Sequence, residues 1–102
     1  MKIQHVLSAA AMLAATGLAQ AQIDPLHARS MAASCSGCHG TNGNAMPGMA
    51  SLAGVPKEIT TQKMLDYKAG RVPAATIMHQ LAKGYSDEQI AAIAGYFAAQ
   101  KK

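Results

Sequence analysis

A chain of 102 residues has room for one domain, and its nine Lys and Arg against five Asp and Glu make it mildly basic. The basic residues are scattered and not interleaved with aromatics, which excludes a nucleic-acid surface. With no tryptophan, three tyrosines and one phenylalanine, the side chains alone can fill only a modest core.

The chain opens "MKIQHVLSAAAMLAATGLAQAQ". A basic start at Lys2, an apolar run over residues 6–18 and small residues at Ala19 and Ala21 read as a secretory signal peptide. Residues 1–21 are therefore expected to be cleaved, leaving a mature domain of residues 22–102 exported to a periplasm. An uncleaved anchor is the rival reading, but thirteen residues rich in alanine are short for a bilayer. No second such run follows, so no membrane span is expected in the mature chain.

Asp24 and Pro25 form an N-cap and first-turn pair, opening a short helix through Leu26, Met31 and Ala32 towards Cys35. Gly37, Gly40 and Gly43 then mark a loop, and "GTNGNAMPGMASLAG" has no period. Pro56 opens a second helix, "KEITTQKMLDYKAG", closing at Gly70 with Ile59, Met64 and Tyr67 as its apolar stripe. A turn or short helix follows over residues 74–82. The last helix has the strongest local signals. Ser86 and Gln89 make a capping box, Asp87 and Glu88 suit the helix dipole, and Ile90, Ile93, Ala94 and Phe97 share a face. No alternating pattern appears, so the expected fold class is all-α, with three to four short helices and long loops.

The only cysteines lie in "CSGCH", at Cys35 and Cys38. A disulfide between them would close a tiny loop and stabilise little. A redox dithiol needs a strand-to-helix setting that is missing here. Zinc needs four ligands, and His27, His39 and His79 offer no second motif. His39, directly after Cys38, completes the C-x-x-C-H attachment motif of c-type haem. Both thiols then hold the porphyrin as thioethers, and His39 binds the iron. One motif implies one haem c. A bulky apolar cofactor would also complete a core this poor in aromatics.

An electron carrier needs a sixth iron ligand, and methionine is the usual partner of histidine. Met31 lies on the proximal approach, and Met64 sits mid-helix in the apolar stripe. Met46 and Met49 follow His39 by only seven and ten residues, leaving little chain to cross the haem. Met78, 39 residues beyond His39, has the reach and is the expected ligand, with Met46 or Met49 next. His79, its neighbour, is expected at the surface.

"CSGCHG", "SLAG" and "TIMHQLAKGYSDEQIAAIAGYFAAQ" together resemble class I c-type cytochromes, over nearly all of residues 24–100. The last stretch, with "YKAGRVP" ahead of it, is particularly similar to the haem subunits of flavocytochrome c sulfide dehydrogenases. It is also similar to single domains of two-haem relatives and to sulfur-oxidation cytochromes. The resemblance implies crossed N- and C-terminal helices with the haem in a loop-lined crevice, and contacts of Gly95 and Tyr96 with the first helix. In that family a proline carbonyl usually accepts the ring N–H of the proximal histidine. Ala50 stands at that position here, where its own carbonyl can do the same.

The function implied is one-electron transfer, with no bond chemistry by the protein itself and with redox proteins as partners. By resemblance these are a sulfide-oxidising flavoprotein and a downstream cytochrome or oxidase, meeting a small apolar patch near residues 45–48. The alternative is a haem peroxidase or gas-binding cytochrome with an open sixth position, for which His79 and Arg71 are the only nearby polar groups.

Overall fold

A computed structural model describes residues 22–102. The expected signal peptide, residues 1–21, lies outside them. Five helices and one 3₁₀ turn make up the regular structure of the described residues, with no strand among them. Helix α1 spans Pro25–Ala33, α2 Ser36–His39, α3 Lys57–Lys68, α4 Met78–Ala82 and α5 Asp87–Ala98; the 3₁₀ turn is Thr41–Gly43. None of these helices is long and apolar enough to cross a membrane.

Local chemistry sets the helix ends. Asp24 Oδ1 accepts the Leu26 N–H at 2.8 Å, with Pro25 in the first turn, where its missing donor costs nothing. At α5 the capping box is complete: Gln89 N–H donates to Ser86 Oγ at 3.1 Å, and Ser86 N–H to Gln89 Oε1 at 2.9 Å. Helix α3 stops before Gly70, which takes the left-handed conformation at φ +74°.

Two clusters meet along α5. Ala32 of α1 packs with Ile93 and Phe97, flanked by Met31, Cys35, Leu52 and Tyr96. Met64 of α3 and Ala82 of α4 pack with Ile90, flanked by Leu65, Tyr67 and Met78. Tyr85 touches both clusters, and its hydroxyl lies 3.0 Å from Ser34 Oγ at the end of α1. The terminal helices thus pack on each other, as the resemblance implied. Tyr96 joins that contact and also donates to Asn42 Oδ1 at 3.1 Å. Gly95 lines a second cleft with Pro25 and Ala28 of α1, and a Cβ built there would have Lys57 Cδ of α3 as its nearest neighbour, at 3.6 Å.

The sequence reading of α3 is corrected by one residue. Ile59 is 47 % exposed, whereas Thr60 is 7 % exposed and shares the inward face with Met64. Neighbouring positions differ by about 100° around a helix, so the side that meets α4 and α5 selects Thr60 over the more apolar Ile59.

The segment after α3 is tied back to it. Arg71 donates through Nε to Asp66 Oδ1 at 2.9 Å, its Nη2 lies 2.7 Å from the same oxygen, and its backbone N–H bonds the Asp66 carbonyl at 2.9 Å. The Arg71 hydrogen bond, then the one from Gln62, hold the Asp66 carboxyl below its ordinary value. A carboxyl depressed on folding adds stability above its unfolded pKa and loses it as pH falls through the folded one. The thermal midpoint of Asp66→Asn should therefore lie below that of the unsubstituted protein at neutral pH. The two midpoints should converge on acidification below the carboxylate range. A gap that is constant with pH would show that the charge is not what counts.

Candidate haem-binding site

The site starts from a single helical turn. The Cys35 carbonyl accepts the N–H groups of Cys38 at 3.3 Å and His39 at 2.9 Å, so residues 35–39 are helical rather than the loop read from the glycines. Positions i, i+3 and i+4 share one face of a helix. This spacing sets both thiols and the imidazole on the same side of the turn. No disulfide joins the two cysteines; Cys35 is half-buried and Cys38 exposed. Burial pushes the Cys35 thiol above its ordinary pKa, with the Ser34 hydrogen bond opposing it.

The loop after this turn folds back over it. Gly43 adopts φ +80°, and its carbonyl accepts the Leu52 and Ala53 N–H groups at 2.8 and 3.1 Å. A Cβ at this glycine would stand 2.8 Å from both Ala53 N and Phe97 Cδ1, so only glycine fits. The closed loop brings the Ala50 carbonyl within 2.6 Å of His39 Nδ1. A carbonyl can only accept, so Nδ1 carries the proton and Nε2 keeps its lone pair for a metal. Ala50 therefore makes the bond expected of it despite the missing proline, because that bond needs only the backbone.

Cys35 and His39 line a cleft walled by Leu52, Val55, Met64, Ile93 and Phe97, and Met78 at the start of α4 lines it too. Met46 and Met49 are 76 % and 47 % exposed and do not line it. Met31 packs in the α1–α5 cluster. Met64 reaches the cleft but is 9 % exposed, wedged against Ala82 and Ile90. His79 is half-buried rather than at the surface, with Nδ1 unpartnered among the described residues, and it does not line the cleft. Three lining residues of α3 escaped the sequence reading of the site: Thr60, Lys63 and Tyr67. Their spacing along α3 with Met64 is the helical period that could have revealed them.

The donor set fits a haem. Two thiols on one helical face match the two vinyl groups of a porphyrin, an imidazole with a fixed tautomer offers Nε2, and the walls are apolar. Cys35, Cys38 and His39 would hold the group from one side, and Met78 would meet it from the other. When bound, haem supplies an iron that gains and loses one electron.

Such a site in an all-helical domain defines a c-type haem protein. The chain belongs to the cytochrome c family, whose sequence pattern, described as "Cytochrome c", matches residues 28–101. It is similar to the cytochrome subunit of sulfide dehydrogenase of Chlorobaculum tepidum, at 42 % identity over 64 residues, covering 63 % of this chain and 57 % of that protein. Cytochrome c4 of Azotobacter vinelandii is 37 % identical over 98 residues, covering 87 % of this chain and 47 % of that one. For cytochrome c4 of Pseudomonas aeruginosa the values are 39 % over 90 residues, with 87 % and 44 % covered. The chain thus spans about half the length of the curated relatives it matches. Family membership makes it an electron carrier with covalently attached haem c.

Proposed function

We propose that the chain is a periplasmic electron carrier in which Cys35 and Cys38 anchor one haem and His39 and Met78 bind its iron. The observation that carries this reading is the meeting of His39 and Met78 on one apolar cleft, with His39 Nδ1 held by the Ala50 carbonyl. The periplasmic location rests on the signal-peptide reading of residues 1–21. The likeness to the cytochrome subunit of sulfide dehydrogenase favours a sulfide-oxidising flavoprotein as electron donor. Met46, the most exposed large apolar side chain of the described residues, suits a transient apolar contact beside the site.

The test mixes the oxidised holo-protein with sulfide, with and without a sulfide-oxidising flavoprotein, and follows haem reduction by absorbance. Reduction that depends on the flavoprotein is the expected result. An equal rate without it would remove the flavoprotein from the reading.

A further inference from the structure

Haem brings to any apolar cleft a problem that its iron ligands do not solve. It carries two propionate carboxylates, and burying an unpaired charge is costly. Those carboxylates lie away from the vinyl groups, which the thiols of the α1–α2 turn would take. They need a cation or donors elsewhere on the cleft wall.

One wall has them. Helix α3 packs on α4 and α5, and from it Thr60 and Lys63, one turn apart, both line the cleft. Lys63 is the only Lys, Arg, Asp or Glu among the lining residues described. Its ammonium has no carboxylate partner among the described residues. The two ion pairs there join Lys68 to Asp87 and Arg71 to Asp66. Asp66, the acid nearest in sequence on the same helix, is already committed to Arg71 and Gln62. Thr60 is 7 % exposed and lines the same wall of the cleft. Lys63 is exposed where it borders the cleft, a rim position from which an ammonium can meet a carboxylate.

We propose that Lys63, assisted by the Thr60 hydroxyl, receives a haem propionate and thereby tunes the reduction potential. The inference rests on the haem lying between His39 and Met78. A cation beside the haem disfavours the more positive ferric state, so Lys63 raises the potential. Both are positioning and tuning residues, since neither touches the iron.

The experiment uses the full-length holo-protein and three readouts: the resonance Raman bending band of the propionates, the midpoint potential, and the far-red sulfur–iron absorption band. In Lys63→Gln the propionate band should shift and the potential fall, while Lys63→Arg returns both towards the unsubstituted values. Thr60→Val should shift the propionate band less, in the same direction. Lys57→Gln, an equal charge change outside the cleft, should leave both readouts unchanged. A Lys63→Gln protein with an unmoved propionate band overturns the proposal, as does an equal potential shift in Lys57→Gln. The sulfur–iron band reports the ligand set separately, so failure of the axial-ligand reading would be visible apart from failure at Lys63.

Discussion

Alanine at position 78 should turn the iron high-spin, abolish the far-red sulfur–iron band and let the reduced protein bind carbon monoxide at once. The midpoint potential should fall, because a thioether ligand favours ferrous iron. The basis is the short supply of replacements. Among the residues lining the cleft, His39 is already placed on the opposite role by its Ala50 bond, and Met64, the other thioether there, is packed against Ala82 and Ile90. Met46→Ala and Met49→Ala should keep the band, since both side chains stand in solvent outside the cleft. Met64 is the decisive control because it lines the same cleft. As a core filler at 9 % exposure, its loss should cost about 2–5 kcal/mol of stability and leave the band in place. A band kept in Met78→Ala and lost in Met64→Ala would reassign the ligand to α3.

The parts of the fold that could be read in advance are those whose cause is local. Asp24 with Pro25, and Ser86 with Gln89, satisfy backbone donors within three residues, so their meaning survives without knowledge of the fold. The turn at residues 35–39 was misread as loop, because Gly37 and Gly40 weigh against helix in any propensity argument. Its helical form was nevertheless implicit in the chemistry, since only the i, i+3, i+4 spacing aims two thiols and an imidazole the same way. The face of α3 was harder. Ile59 is the better apolar residue, and Thr60 looks like part of a solvated side, yet Thr60 is the one that is buried. Which side turns inward depends on α4 and α5, and on a cleft whose occupant is not written in the side chains. A polar residue facing a cofactor is indistinguishable in sequence from one facing water. Ala50 is the opposite case: its side chain says nothing, but the role belongs to its carbonyl.

Phe97→Ala should be the most destabilising single change in the core, costing about 3–5 kcal/mol. Against a total stability of about 5–15 kcal/mol for an ordinary domain, that removes much of the margin. Phe97 is fully buried, stacks edge-on with Tyr96 at a centroid distance of 5.2 Å, and packs with Ala32 and Ile93 while lining the cleft. Its carbonyl accepts the Gly54 N–H at 2.9 Å, so the same residue fastens the loop that carries Ala50. Urea unfolding followed by ellipticity should show a much lower midpoint for Phe97→Ala and a smaller loss for Phe97→Leu. Gly43→Ala should also be costly, because the new methyl meets the Phe97 ring and Ala53 N at φ +80°. The double variant should then lose less than the two singles together, since removing the ring relieves one of the two clashes. Strict additivity would mean that the ring and the glycine do not meet in solution. The packing that closes the loop under His39 would then have to be sought elsewhere, in Ala53 and Leu52.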